Sequence, residues 1–206
     1  MKHLLIILAI ILSLGLAYAQ TTLGVKAGLN ISHISGDDAM ASSDPSVGLH
    51  AGAMIQHYLL PSLILQPELL YTQKGHSYKY NISDVYTTHT VSLDYLELPM
   101  VLKLNYQAGN VRIQPYAGAS VAYLINAKDK QKVSAGNTST TTNHDIGNSI
   151  NDIGAGIIVG AETVISQRYT VGVRYVLGLT EIYKNGNDTT NAVIMLNVGY
   201  LFNSTK

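Results

Sequence analysis

Seven charged residues occupy positions that β-strands would turn toward a single face, and both signs of charge are present among them. These residues are Lys26, Glu68, Glu97, Lys103, Arg112, Glu162 and Arg174. Opposite charges held away from water can relay protons or guide an ion, or they can neutralise one another as a structural network. Because an unpaired buried charge is costly, we expect these residues to pair, and a packing role is favoured over a proton or solute path.

Conventional catalytic signatures are missing from the sequence, which has no HExxH, P-loop, GxGxxG or GxSxG motif and no cysteine. The pair His144–Asp145 lies near Ser139 and Ser149, and these are the residue types of a nucleophile and its base. Such neighbours are common in a segment rich in Ser and Thr. Three further histidines fit no metal-ligand spacing, namely His33, His76 and His89. We therefore predict that the protein is not an enzyme and has no catalytic residue, metal site or cofactor.

The composition excludes several classes of protein. Of the 206 residues, 47% are hydrophobic and only 13% are charged, which is about half the charge content of an ordinary soluble domain. The 13 basic and 13 acidic residues balance, so no nucleic-acid partner is predicted. The length suits one domain.

The first nineteen residues are predicted to be a signal peptide. Met1–His3 is a short basic start, Leu4–Leu16 is an almost unbroken apolar run, and Ala17–Ala19 has the small residues of a cleavage site. The apolar run is shorter than the roughly 20 residues that a membrane-spanning helix needs. We expect cleavage after Ala19, which leaves residues 20–206 as the barrel domain considered next.

Eight segments of the remaining chain alternate between apolar and polar residues with a period of two, as β-strands do. One face of each segment is apolar and uncharged, and the other collects glycines and the charged residues. The apolar faces run over Leu23–Ile31, Val47–Ile55, Leu63–Tyr71, Leu96–Leu104, Val111–Tyr123, Ile153–Ala161, Tyr169–Leu177 and Ile194–Phe202.

Strand length and loop length favour a membrane barrel over a sheet in water. The alternating runs reach about 10 to 13 residues, close to the 9 to 11 that cross a bilayer at a tilt. Short turns near 58–62, 107–110 and 167–168 alternate with long polar loops near 34–45, 76–90, 126–150 and 181–191. The sequence therefore predicts an all-β, eight-stranded antiparallel up-and-down transmembrane β-barrel, with its short turns in the periplasm.

Further details follow from this topology. The interior of an eight-stranded barrel is narrow enough for side chains to fill, so a plugged lumen is expected. Pro67, Pro99 and Pro115 are interpreted as β-bulge sites, and the loop Ala127–Asn148 is expected to be solvated and mobile. Two aromatic girdles at the membrane surfaces are predicted from Tyr58, Tyr71, Tyr106, Tyr123, Tyr169 and Tyr175.

Several segments resemble the PorT-type outer-membrane β-barrel proteins that are common in Bacteroidetes. They are GVKAGLNIS at 24–32, LQPELLYTQKG at 65–75, YLELPMVLK at 95–103, QPYAGASVAYLI at 114–125, NDIGAGIIVGAE at 151–162, VGVRYVLGLTEI at 171–182 and NVGYLF at 197–202. The glycine-spaced strands are shared with OmpA-like barrels. The resemblance implies a fold and a place in the bacterial outer membrane, with membrane lipid and the barrel-insertion machinery as partners. The family's founding member is linked to protein secretion and gliding, but most relatives have no assigned activity, so the resemblance implies none here.

Three classes of function remain open. The first is a non-enzymatic outer-membrane barrel that supports the envelope or presents its long loops to an extracellular ligand or protein. The second is a narrow pore or a secretion- or transport-associated component, for which conductance altered by Glu97→Ala or Arg112→Ala would be the evidence. The third is a soluble exported barrel of lipocalin type, which requires an apolar interior.

Overall fold

The computed structural model describes residues 21–35, 43–82, 85–135, 138–184 and 189–202, and the predicted signal peptide lies outside them. These residues form ten strands and a single 3-10 turn at Gly147–Ser149. The strands are β1 (Thr21–Ser35), β2 (Ser43–Leu60), β3 (Leu63–Ile82), β4 (Val85–Leu104), β5 (Tyr106–Ala108), β6 (Val111–Ala135), β7 (Thr138–Asp145), β8 (Ile153–Ile165), β9 (Tyr169–Gly178) and β10 (Thr190–Leu201). In the described part of the chain, no helix has the length and apolarity to cross a membrane.

Eight of the strands close into a ring. Their order is β1, β2, β3, β4, β6, β8, β9 and β10, with every pair antiparallel. The ring closes where β10 pairs with β1, for example at Leu29 and Leu196. Closure leaves no unpaired edge around the ring, which a membrane-spanning sheet requires. The predicted eight-stranded up-and-down barrel is therefore confirmed.

The barrel is apolar outside and polar inside. Leu29 and Val198 on the outer surface are 47% and 59% exposed, whereas Lys26 and Arg174 on the inner surface are 3% and 1% exposed. A sheet in water has the opposite arrangement, because it buries its apolar face. The lipocalin-type interpretation requires an apolar interior and a polar exterior, so the structure does not support it.

The interior is less uniformly charged than the alternation indicated. Inward positions also carry an apolar cluster at mid-height, made of Val101, Tyr116, Ile158, Val176, Val193 and Met195. A smaller apolar cluster near the short turns contains Met54, Val164 and Leu201. The charged residues thus share a water-excluded interior with apolar clusters, and there each unpaired charge would be strongly disfavoured.

Glycine makes room for two large inward side chains, each of which lies over a glycine on the neighbouring strand. A Cβ atom on Gly28 would lie 2.6 Å from the His50 ring, and one on Gly160 would lie 2.6 Å from the Tyr116 ring. Such distances are far below van der Waals contact, so neither position tolerates a side chain. The glycines make room here for aromatic rings rather than only for long charged side chains.

Two of the predicted long loops are extended β-hairpins instead. β3 and β4 continue to Ile82 and Val85, and β6 continues to Ala135 and pairs with β7. Residues 72–82, 85–95, 126–135 and 138–145 thus form four adjacent strand segments beyond the apolar, lipid-facing part of the barrel, here called the projecting sheet. The start of β2, residues 43–45, pairs with the first of them. The prediction of a loop at Ala127–Asn148 is therefore wrong for most of these residues, which belong to β6 and β7. Its Thr-rich composition is polar, but β-branched residues also favour strands.

The three strand prolines do not cause bulges. Register is constant across Pro67, Pro99 and Pro115, which lie opposite Met100, Ser120 and Ala161 respectively. A proline removes one donor from the ladder but leaves the number of residues unchanged, so the register need not shift. The observed irregularities lie between Pro45 and His50, between Tyr58 and Leu60, and between Asp94 and Tyr95.

The three predicted short turns are present at one rim of the barrel. β2 and β3 are joined by Pro61–Ser62, and β8 and β9 are joined by residues 166–168. The third connection contains the short strand β5, which forms a small hairpin with the start of β6 around Gly109. Gly109 has a φ of +61°, a conformation that glycine adopts without strain.

Candidate functional site

Five of the seven predicted network residues meet inside the barrel. They are Lys26 on β1, Glu68 on β3, Lys103 on β4, Glu162 on β8 and Arg174 on β9, here called the central cluster. Their side chains are at most 1% exposed. The strand alternation turns each of them inward, and the closed ring brings five different strands to one place.

Glu68 is the most heavily bonded member of the central cluster. Arg174 approaches it with two parallel hydrogen bonds, from Nη1 to Oε2 at 2.9 Å and from Nη2 to Oε1 at 2.7 Å. The ammonium of Lys26 donates to Oε1 at 2.9 Å, and the amide of Gln66 donates to the same oxygen. Paired guanidinium–carboxylate bonds of this kind fix orientation as well as charge.

Glu162 is the second carboxylate of the cluster. Lys103 donates to its Oε1 at 2.7 Å, and Lys26 lies 3.6 Å from its Oε2. Lys26 therefore stands between the two carboxylates and joins both halves of the cluster. Three cations face two carboxylates, so the cluster carries one excess positive charge when all five groups are ionised.

Tyr116 on β6 stabilises the excess positive charge of the central cluster, and the sequence analysis did not predict this role. Its hydroxyl accepts a hydrogen bond from Arg174 Nε at 3.3 Å. The Lys103 ammonium and the Arg174 guanidinium lie 5.1 and 5.3 Å from the centre of its ring, within the range of cation–π attraction. The signal was its even position on β6, which it shares with the inward residue Gln114.

Glu97 and Arg112 lie apart from the central cluster. Glu97 pairs with Lys74 at 3.1 Å, and the Lys74 ammonium also lies 5.3 Å from the Tyr95 ring. Arg112 lies toward the short-turn rim, where its Nη1 donates to the hydroxyl of Tyr58 at 2.9 Å. The predicted single network is thus divided between three places, and Lys74 is a member that the prediction did not include.

Neutral polar residues extend the interior network and were not predicted. Gln56 donates to Gln66 at 2.9 Å, which places a chain of amides below Glu68. On the other side, His50 Nδ1 lies 2.7 Å from the side-chain oxygen of Asn30. Asn30 in turn donates to the carbonyl of Gln73 at 2.8 Å. All of these lie on the inward phase of their strands, which was the available signal.

Five of the six tyrosines predicted to form the girdles lie on the outer surface of the barrel. Tyr71, Tyr106, Tyr123, Tyr169 and Tyr175 are on the outer surface and between 38% and 57% exposed. Tyr58 differs, because it lies on the even, inward phase of β2 with Met54 and Gln56, and its hydroxyl accepts a hydrogen bond from Arg112. Asp152, predicted on the inward face, is exposed and pairs with Lys184 at 3.2 Å.

The possible catalytic grouping is not assembled. His144 is exposed on β7, and Asp145 accepts a hydrogen bond from the backbone of Gly147 at 2.9 Å, as in a turn. Ser139 lies at the other end of β7, opposite Ser134. Among the described residues, no three His, Asp or Glu side chains are grouped so that they could hold a metal ion.

His76 forms a second buried polar site, at the rim opposite the short turns. Its ring stacks near Tyr78 at 6.3 Å, and its Nε2 lies 3.4 Å from the hydroxyl of Tyr183. Tyr78 stacks in turn on His89, whose Nδ1 lies 2.8 Å from a carboxylate oxygen of Asp129. Burial lowers the pKa of His76, and the charge of Asp129 opposes that shift without cancelling it. Burial likewise raises the pKa of Tyr183 to about 12.

A closed antiparallel barrel with an apolar exterior and an ion-paired interior is the architecture of an outer-membrane protein. Residues 18–184 match the family model described as outer membrane protein beta-barrel domain, and the chain belongs to that family. Comparison with curated proteins found no match.

Solved structures of outer-membrane proteins are similar to this chain. Ail, the attachment invasion locus protein of Yersinia pestis, is 12% identical with a TM-score of 0.48, and the match covers 89% of this chain and 99% of Ail. Neisserial surface protein A is 12% identical with a TM-score of 0.48, covering 88% and 98% of the two chains. The outer membrane enzyme PagL is 13% identical with a TM-score of 0.46, covering 86% and 97%.

Replacing Glu68 by Gln should strongly destabilise the barrel. The substitution leaves Lys26 and Arg174 without a common carboxylate in a buried place, and breaking such a pair costs about 3 to 5 kcal/mol. The free energy of unfolding in lipid vesicles, from urea titration, measures the effect. The control is Asp44→Asn, which breaks the exposed pair with Lys79 and should cost less than about 1 kcal/mol. Equal effects of the two changes would contradict the account.

The rim around His76 should loosen in acid. Because its folded pKa is lowered, the opened rim takes up a proton more readily than the closed rim, and stability falls as the pH drops below about 6.5. Amide hydrogen exchange of residues 181–184, corrected for intrinsic rates, should show weaker protection at pH 5 than at pH 7.5. His76→Gln should remove this difference, and His144→Gln, on exposed β7, should retain it. A difference that persists in His76→Gln would exclude His76 as its origin.

Proposed function

We propose that the protein is a non-catalytic outer-membrane barrel whose interior is closed to ions and whose role is to hold the projecting sheet at the cell surface for binding. The central cluster carries this proposal, because its five buried side chains reach across the barrel from different strands. Glu68 and Arg174 alone join positions that are 106 residues apart in the chain.

Packing above the central cluster supports a closed interior. A third apolar cluster lies at the rim opposite the short turns and includes Val91, Leu93 and Tyr95 of β4. Ile150 and Ile182 join it from the segments outside the barrel strands. These two segments are held together by backbone hydrogen bonds, such as that from Asn151 to the carbonyl of Ile182 at 2.8 Å. An ion crossing the barrel would have to displace this cover and then the ion pairs.

The placement in the membrane is part of the proposal. Residues 1–19 are removed on export, the short turns face the periplasm, and the barrel-insertion machinery delivers the chain to the outer membrane. The five outward tyrosines mark the two membrane surfaces, and Tyr58 is left out of that set because its hydroxyl binds Arg112. The projecting sheet then lies outside the cell, where an extracellular ligand or protein can reach it.

Within the barrel family, we assign the chain to the PorT-type proteins of Bacteroidetes. The segments YLELP at 95–99 and QPYAG at 114–118 support the assignment. They fall on β4 and β6 and contribute Glu97, Gln114 and Tyr116 to the interior. No role in secretion or gliding is carried across with this assignment.

A narrow pore is the second candidate, and one observation favours it. The central cluster has one more cation than carboxylate, and Arg112 adds a further positive charge toward the short-turn rim. A path along these groups would select anions over cations. The interior side chains would then have to move aside during conduction.

Planar-bilayer recordings distinguish the two candidates. The mature wild-type chain should show no stable channel, because the ion pairs and the apolar cover block the lumen. Folding of each sample is checked by the change in gel mobility on boiling, so that silence is not mistaken for loss of the barrel. Steady, ion-selective conductance in the wild type that changes in Glu97→Ala or Arg112→Ala would refute the closed interior and establish the pore.

A further inference from the structure

Three lysines form a row on one face of the projecting sheet. β6 carries the sequence Lys128, Asp129, Lys130, Gln131 and Lys132, and strand alternation separates these side chains onto two faces. The three lysines are exposed, whereas Asp129 and Gln131 are half-buried on the other face. Alternate residues on a strand are about 6.6 Å apart, so the row is regularly spaced.

A β-bulge determines which face the lysines occupy. In the barrel, the outward residues of β6 have odd numbers, and Tyr123 and Ile125 are 57% and 52% exposed. Tyr95 pairs with Leu124 but Asp94 pairs with Asn126, so Ile125 is an extra residue on β6. The extra residue reverses the phase, as bulges do. The even-numbered lysines beyond it therefore continue the lipid-facing surface instead of the lumen.

The same phase change moves the carboxylate of Asp129 off this face. Asp129 points to the other side, where its carboxylate lies 2.8 Å from His89 Nδ1. Lys130 and Lys132 are flanked on β4 and β7 by neutral residues, Thr90 and Asn143 for the first and Thr88 and Thr141 for the second. Lys128 differs, because Asp145 lies directly opposite it on β7.

The position of the row relative to the apolar band points to the lipid headgroups. Lys128 follows the exposed Ile125 by three residues, about 10 Å along the strand and less along the membrane normal because barrel strands are tilted. The headgroup layer adds about 5 to 7 Å on each side of the hydrocarbon core. The row thus begins at the outer edge of this layer, from which the long lysine side chains reach lipid phosphates.

We propose that the row Lys128, Lys130 and Lys132 forms a binding site for the phosphate groups of outer-leaflet lipids that surround the base of the projecting sheet. The ammonium groups supply the positive charge and the donors that a phosphate accepts. The ligand is a phosphate-bearing lipid, because the row continues a surface that already faces lipid. The site goes beyond the proposed function and does not depend on whether the lumen is closed.

The test is the binding of phosphorylated lipid A by the purified mature chain in detergent. The probes are lipid A, the same lipid after its phosphates are removed, and inorganic phosphate, each titrated at low and high salt. The wild type should bind phosphorylated lipid A more tightly than the dephosphorylated form. The triple variant Lys128→Gln, Lys130→Gln, Lys132→Gln should lose at least tenfold in affinity, since each basic residue near a membrane surface contributes about fivefold. Its affinity for dephosphorylated lipid A should not change.

Matched variants separate this site from a general effect of charge. The control removes two exposed cations elsewhere, Arg168→Gln with Lys184→Gln, and should bind as the wild type does. Asp145→Asn should bind more tightly than the wild type, because Asp145 lies opposite Lys128 and offsets its charge. Two results would overturn the proposal: equal affinity of the triple variant and the wild type for phosphorylated lipid A, or displacement of the lipid by inorganic phosphate at matched concentration.

Discussion

The arrangement of the barrel interior depends on the ion pairs that the buried Glu68 carboxylate makes with Arg174 and Lys26. The carboxylate is bound by Arg174 from across the barrel and by Lys26 from the nearby strand β1, and Gln66 completes its hydrogen bonds. Away from water, neither the carboxylate nor its two cations is tolerated without an opposite charge. Strand alternation turns these three side chains inward, and the narrow ring brings them within bonding distance. Glycines on neighbouring strands leave room for the His50 and Tyr116 rings beside them. The same strand alternation that turns the charged residues inward turns the apolar residues outward, where they face lipid.

Much of the barrel could be predicted from the sequence, and the reason is physical. A strand turns successive residues to opposite faces, so uncharged alternation over ten residues identifies both the strand and its lipid-facing side. Which charges pair across the lumen depends on strand register and barrel shape, which no short stretch of sequence contains. The sequence therefore did not predict that Glu97 pairs with Lys74, or that Arg112 binds Tyr58, which was predicted for the outer girdle.

The projecting sheet escaped prediction for a different reason. Its outward face is polar, and its apolar residues, such as Val91, Leu93 and Tyr95, lie on the inward face. The outward apolar alternation that identifies a membrane strand therefore ends before the strands do. The bulge at Ile125 also changes which residues of β6 face outward. The three lysines beyond it therefore lie on the outer face and not on the inner one. As a loop, residues 128–132 are a mixed run of charges. As a strand, they present three cations to one side and a single carboxylate, held by His89, to the other.

The orientation of the barrel in lipid is the central claim, and tryptophan fluorescence tests it most directly because the native chain contains no Trp. Val159→Trp on β8 and Tyr86→Trp on the projecting sheet probe positions that are 49% and 60% exposed in the structure. In vesicles, the account predicts that lipids brominated on their acyl chains quench the Trp at position 159 and that aqueous iodide quenches only the Trp at position 86. Quenching at position 159 by iodide and not by brominated lipid would contradict a lipid-facing exterior.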